Sequence, residues 1–182
     1  MSRLRIFDVH TPDVAQSSTE LAEAITAALA PIGVRFSRWH TDHTLAQGAE
    51  QGAVLAIYEK EINALKQSGG YTSVDVVSMH PAHPNKDSLR QKFLAEHTHA
   101  EDEIRFFVGG CGLFTIRTES RVYEVKCEAN DLIHVPAGTR HWFDMGAEPF
   151  FIAIRIFGNP EGWVANFTGD DISMRFPRLK AS

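Results

Sequence analysis

Two hydrophobic periods divide the chain. Leu21, Ile25, Ala28, Leu29 and Ile32 repeat at helical spacing until Pro31 and Gly33 stop the run, and Ser17 with Glu20 supplies the S-x-x-E spacing of a capping box ahead of it. Val54, Leu55, Tyr58, Ile62 and Leu65 form a second stripe that ends at Gly69-Gly70. Both stripes read as core faces. From Tyr71 the period shortens: β-type runs occupy 73–79, 104–108, 113–117, 121–125, 131–135 and 150–157, divided by turn signals such as Gly109-Gly110, "TES", "EAND", "PAG" and "GNPEG". Residues 80–95 break that rhythm with two prolines and a short helical stretch from about Asp87. The pattern predicts one domain over 1–182, with a largely helical part over 1–70 and an antiparallel sandwich or barrel over 71–175.

Length and charge narrow the function. A chain of 182 residues buries a sizeable core without needing a metal or disulfides in order to fold, so a metal site within it reads as functional rather than structural. A net charge of −5 and a pI of about 6.0 lack the basic footprint that nucleic acid demands. No apolar run is long enough for a signal peptide or a membrane span, and the chain reads as cytoplasmic. Two cysteines, Cys111 and Cys127, make no disulfide framework; packing in a reducing compartment is the expectation for them.

The chemistry concentrates in "EHTHAEDEIRFFVGG", residues 96–110. On a strand, positions i and i+2 share a face, so His97 and His99 present two imidazoles side by side. Glu103 has the same parity, but six extended residues would carry it ~20 Å from His97, whereas ligands sit about 2 Å from one ion. The chain must therefore bend at 100–102, leaving the histidines at the end of one strand and Glu103 at the start of the next. Downstream, "PAGTRHWFD" contains P-x-G-x-x-H, in which Pro136 and Gly138 turn the chain so that His141 can enter the same pocket. The joint pattern arises by chance on the order of one time in a thousand. Three imidazoles and a carboxylate without thiolate suit a divalent Fe, Ni, Co, Mn or Zn ion, and octahedral coordination would leave two positions for a chelating substrate. His134 and the histidines at 10, 40, 43, 80 and 83 fall outside the pattern and read as non-ligands, and Glu101 and Asp102 read as solvated acids on the bend.

These residues resemble the two motifs of the cupin superfamily. His97, His99, Glu103 and Gly110 match the first; Pro136, Gly138 and His141 match the second, whose opening glycine is here Asn130 and whose closing asparagine is Met145. The resemblance implies a mainly β fold with N-terminal helices, a jelly-roll β-barrel with the metal inside. The runs "KFLAEHTHAEDEIRFFV", "DLIHVPAGTRHWFDMG", "AIRIFGNPEGW" and "FTGDDI" are more specifically similar to the bacterial acireductone dioxygenase family. That likeness implies one Fe²⁺ or Ni²⁺ per chain, a monomer, and a place in methionine salvage. The implied substrates are the acireductone 1,2-dihydroxy-3-keto-5-methylthiopentene and O₂. The implied products are formate and 4-methylthio-2-oxobutanoate with iron, or formate, CO and 3-methylthiopropionate with nickel.

Arg105 shares the parity of Glu103 and should face the interior, where a buried guanidinium stays charged. The resemblance makes it the catalytic or substrate-orienting residue; a salt bridge to an interior carboxylate is the alternative. Phe93, Phe143, Arg155 and Trp163 resemble pocket positions of the family, with a plain core role as the alternative for each. Two other function classes stay open. A cupin isomerase or epimerase would polarise a sugar carbonyl without consuming O₂, and a cupin binding module would take a reductone-like ligand without turnover.

Overall fold

The computed structural model describes residues 1–39, 45, 49–159 and 161–180; His40 and His43 lie outside the described residues. The chain opens on two strands, β1 (Arg3–Asp8) and β2 (Thr11–Thr19), paired antiparallel. β2, "TPDVAQSST", carries no apolar alternation, so periodicity does not reveal it. It is the edge of its sheet, where an exposed polar strand and a proline are tolerated. Ser17 stands opposite Ile6 within this pair and caps no helix. Helix α1 (Ala22–Leu29) instead begins after Leu21 with no side-chain cap hydrogen bond.

The largely helical reading of 1–70 is corrected accordingly. It holds for α1, α2 (Gln51–Ile57) and α3 (Glu59–Gly69), whereas β1, β2 and β3 (Arg35–Arg38) join the sheets. The second hydrophobic stripe is broken at Tyr58, φ −102° and ψ 16°, whose fully buried ring meets Phe106 edge-on at 5.2 Å. α3 stops where Gly70 adopts φ 69°, a left-handed turn that glycine makes without a Cβ clash.

The remaining elements are β4 (Ser73–Met79), α4 (Lys86–Leu94), β5 (His97–Thr98), β6 (Glu103–Arg117), β7 (Arg121–Glu128), β8 (Asp131–Val135), β9 (Arg140–Asp144), β10 (Phe151–Phe157) and β11 (Asn166–Phe167). They form two antiparallel layers, in the order β11-β5-β9-β6-β7-β1-β2 and β4-β10-β6-β8-β3. β6 belongs to both. Its first half pairs with β8 and β10, its second with β7 and β9.

The turn expected at Gly109-Gly110 is therefore a kink inside a single 15-residue strand. The register shifts there, Gly110 has φ +68°, and a Cβ on it would stand 1.9 Å from the Phe150 carbonyl oxygen. Glycine alone fits that corner, which lets one strand cross between the layers. β9 falls between the runs read at 131–135 and 150–157 and is missed by them; five residues just after a turn give too short an alternation to read.

Along these strands the alternation is regular. Phe107, Phe114, Val125, Phe143 and Phe151 face the space between the layers and form the central core. Ile104, Phe106 and Val108 turn outward and are covered by Val54, Tyr58 and Ile62 of the helices. Phe7, Trp142, Ile172 and Phe176 cover the outside of the other layer. The mainly β jelly-roll barrel with helices from the N-terminal part is what forms. At one end, the inward positions are His97, His99, Glu103, Arg105 and His141 in place of apolar residues, all buried.

Candidate metal centre

Three segments build this end of the barrel. β5 carries His97, the chain bends at 100–102, and β6 starts at Glu103. β9 brings His141 opposite both His97 and Ile116. The turn before β9 is fixed by Thr139 N–H donating to Pro136 O at 3.2 Å and Gly138 N–H donating to His99 O at 2.9 Å. Asn130, at the position of the motif's opening glycine, takes φ 76°, so the departure from glycine preserves the left-handed corner.

Each imidazole is oriented by its Nδ1. His97 Nδ1–H donates to Ala95 O at 2.7 Å, His99 to Val164 O at 2.9 Å, and His141 to Thr139 O at 2.8 Å. A proton on Nδ1 leaves the Nε2 lone pair free, the tautomer a metal ligand needs. One ligand atom from each of the three histidines lies within 4.8 Å of the others. Glu103 stands beside them, its Oε2 3.3 Å from His141 Nε2 and 3.6 Å from His99 Nε2.

Charge and burial suit a cation. Burial pushes the His97 pKa down to about 4, with the neighbouring His141 adding to the fall, and burial lowers that of His99 as well. Both imidazoles are neutral at pH 7. Burial alone would raise the Glu103 pKa, but Arg105, His141 and His99 outweigh it and hold the carboxyl well below its usual range. Glu103 Oε2 and His141 Nε2 are both buried without a hydrogen-bond partner. Two buried lone-pair atoms facing each other without a proton between them are costly unless something bridges them, and a divalent cation does so. The residues present thus fit a metal, with three imidazole nitrogens and one carboxylate oxygen to hold it.

Arg105 faces the interior as expected. Its guanidinium donates to Glu103 Oε1 at 2.6 Å and lies over the rings of Phe114 and Phe143, at 4.7 and 4.6 Å. The structure thus shows the interior salt bridge named as the alternative, made to a carboxylate that stands beside the three histidines. Its Nε is buried without a partner.

The other expected pocket residues divide. Phe143 sits in the central core against Arg105, and Phe93 on α4 approaches it edge-on at 6.2 Å. Arg155 lies opposite Arg105 in the ladder, but its guanidinium pairs with Asp75 at 2.9 and 2.6 Å. Trp163 is 50% exposed, next to Val164, whose carbonyl holds His99.

Several residues near the cluster escaped the sequence reading. Phe157 and Phe167 each stand 5.9 Å from a ligand-candidate imidazole, His99 and His97 respectively. Both lie in runs that carry the family likeness, "AIRIFGNPEGW" and "FTGDDI". Glu101 and Asp102 are not free solvated acids: Glu101 accepts from Asn159 at 2.8 Å, and Asp102 accepts from His134 at 2.7 Å. Those partners are far away in sequence, and nothing local signals them.

Known proteins resemble this chain in sequence and in fold. A profile of the ARD/ARD' family matches residues 3–165. The acireductone dioxygenase of Pseudomonas aeruginosa (strain UCBPP-PA14) is 55% identical over 180 residues, 99% of each chain. That of Parvibaculum lavamentivorans is 54% identical over 181 residues, 100% of this chain and 98% of the other. Among solved structures, an acireductone dioxygenase from Bacillus anthracis with a cadmium ion in its active centre superposes with a TM-score of 0.81. It is 32% identical, covering 92% of this chain and 98% of that one. The chain belongs to the ARD/ARD' family, that of the acireductone dioxygenases.

Proposed function

We propose that the chain is a metal-dependent acireductone dioxygenase of methionine salvage, oxidising 1,2-dihydroxy-3-keto-5-methylthiopentene with O₂. The single observation that carries the reading is the three-histidine cluster with its Nε2 atoms turned inward and Glu103 beside it, in a chain of this family. His97, His99, Glu103 and His141 would hold one Fe²⁺ or Ni²⁺. All four come from one chain, which supports one ion per chain and requires no second copy. The bound ion would supply a Lewis acid and a template for a chelating enediol.

The protein's own groups then divide the remaining work. Arg105 offers a fixed positive charge and the unpartnered Nε–H to an anionic substrate oxygen, in an interior where such a contact is strong. Arg155, opposite it in the ladder, lies on the same wall with its guanidinium held by Asp75. Phe93 and Phe143 supply an apolar surface to which a methylthio tail can bind, and Trp163 stands at the rim. Glu103, held ionised, contributes negative charge to the cation site without needing to lose a proton first.

Under this reading iron would give formate and 4-methylthio-2-oxobutanoate, and nickel would give formate, CO and 3-methylthiopropionate. Free thiols at Cys111 and Cys127 support a cytoplasmic setting. Among the described residues no helix is long and apolar enough to cross a membrane. The test is to prepare the protein in iron- and nickel-supplemented media and follow O₂ uptake and products with the acireductone. Substrate turnover without O₂ consumption would favour the isomerase class instead, and binding without turnover the binding-module class.

A further inference from the structure

A chain of three polar side chains, Arg35, His134 and Asp102, lies behind the metal centre with only its middle member buried, and the proposed chemistry does not use it. His134, on β8, is 4% exposed and sits on the face of the sheet opposite the ligands' side, between β3 and β6. Its two ring nitrogens are both engaged. Arg35 Nε donates to Nδ1 at 2.8 Å, with Arg35 Nη2 also against that atom. A guanidinium only donates, so Nδ1 must be the acceptor and the ring proton must be on Nε2. From there Nε2–H donates to Asp102 Oδ2 at 2.7 Å. Burial lowers the His134 pKa; the Asp102 hydrogen bond opposes that fall and the Arg35 charge adds to it.

Asp102 connects this chain to the site twice. It is the last residue of the bend between His99 and Glu103, so its position sets how Glu103 enters β6. Its other oxygen, Oδ1, accepts the Ala137 N–H at 2.9 Å. Ala137 lies in the Pro136–Thr139 turn, which also donates Gly138 N–H to His99 O and offers Thr139 O to His141 Nδ1–H. The turn therefore orients two imidazoles, and Asp102 ties it to the bend that carries Glu103.

From this geometry we infer that His134 is a positioning residue for the metal centre: held by Arg35, it fixes Asp102, which locks the Glu103 bend to the turn that orients His99 and His141. The inference rests on the metal reading given above. It assigns a task to a histidine that is not itself in the donor cluster and to an acid at the bend. Outer groups that orient metal ligands typically change metal affinity by about 10–100-fold when removed, because a ligand free to rotate loses its preset direction.

The test compares His134→Leu, His134→Gln, Asp102→Ala and the double variant Asp102→Ala/His134→Leu with the native chain. Each is loaded with Ni²⁺, and affinity is read by competition with a chelator. Ligand-field spectra of the Co²⁺ forms report coordination geometry, and thermal unfolding of the metal-free forms checks the fold. Expected are a fall in Ni²⁺ affinity of about 10–100-fold for His134→Leu and a changed Co²⁺ spectrum. His134→Gln should recover most of the loss, since its amide nitrogen can reach Asp102 from nearly the position of Nε2. Asp102→Ala, which also loses the Ala137 link, should lose at least as much as His134→Leu, and the double variant should be no weaker than Asp102→Ala alone, as expected of two links in one chain.

Native affinity in His134→Leu, no recovery in His134→Gln, or losses that add in full would each overturn the inference. If His134→Leu does not fold, Asp102→Ala, at a partly exposed position, decides alone: unchanged affinity and spectrum overturn the inference, and the expected loss supports it. A native chain that binds no nickel overturns the metal reading and this inference together. Tight native binding with unaltered variants overturns this inference alone.

Discussion

Arg105 donates to Glu103 Oε1 at 2.6 Å, which leaves the other oxygen of the same carboxylate facing His99 and His141. One acid is thus divided between a guanidinium and the cation site. The pairing keeps Glu103 ionised in a place where burial alone would protonate it, and it fixes Arg105 beside any substrate held at the same ion.

Arg105→Ala should therefore separate metal binding from turnover. The histidines keep their Nδ1 anchors and a bound cation would itself keep Glu103 ionised, so metal content after nickel loading should remain near one ion per chain. Acireductone-dependent O₂ uptake should fall by about 10²–10³-fold, the usual cost of losing one preorganised charge at a reacting centre. Full turnover in this variant would reduce Arg105 to a structural ion pair.

Stability of the metal-free protein should depend on pH through the buried imidazoles. His97 has a pKa of about 4 in the folded chain and 6.5 when exposed. Between these values the unfolded chain binds the extra proton, so stability is full above pH 6.5 and is lost as pH falls toward 4. The difference corresponds to ~3 kcal/mol from this group. Urea midpoints of the metal-free protein should rise from pH 4 to 6.5 and then level off; a midpoint independent of pH over that interval would contradict the assignment.

Gly110→Ala should damage the fold rather than the site. The new methyl group would meet backbone, the Phe150 carbonyl, at a residue with positive φ, so no side chain can swing away to make room. A loss of about 2 kcal/mol or more in urea unfolding is expected. A change under about 0.5 kcal/mol would mean that the β6 corner tolerates a Cβ.

The site was more legible in the sequence than parts of the fold, for physical reasons. His97 and His99 obey strand parity, and the 2 Å reach of a metal forces the bend at 100–102, so local spacing alone places Glu103. His141 follows from the turn that Pro136 and Gly138 make. β2 was illegible because an exposed edge strand needs no apolar face, and its strand character comes from pairing with β1. Gly109-Gly110 read as a turn because glycine marks kinks and turns alike; only the ladders on both sides of β6 distinguish them. The partners of Asp102 were hidden altogether, since His134 lies 32 residues away and Arg35 reaches it from another strand.

The most direct test of the metal centre is an anomalous difference map from crystals of the nickel-loaded protein. The account expects one peak per chain, within about 2.0–2.2 Å of Nε2 of His97, His99 and His141 and of Glu103 Oε2. A peak elsewhere, or none among those four atoms at full nickel loading, would contradict it.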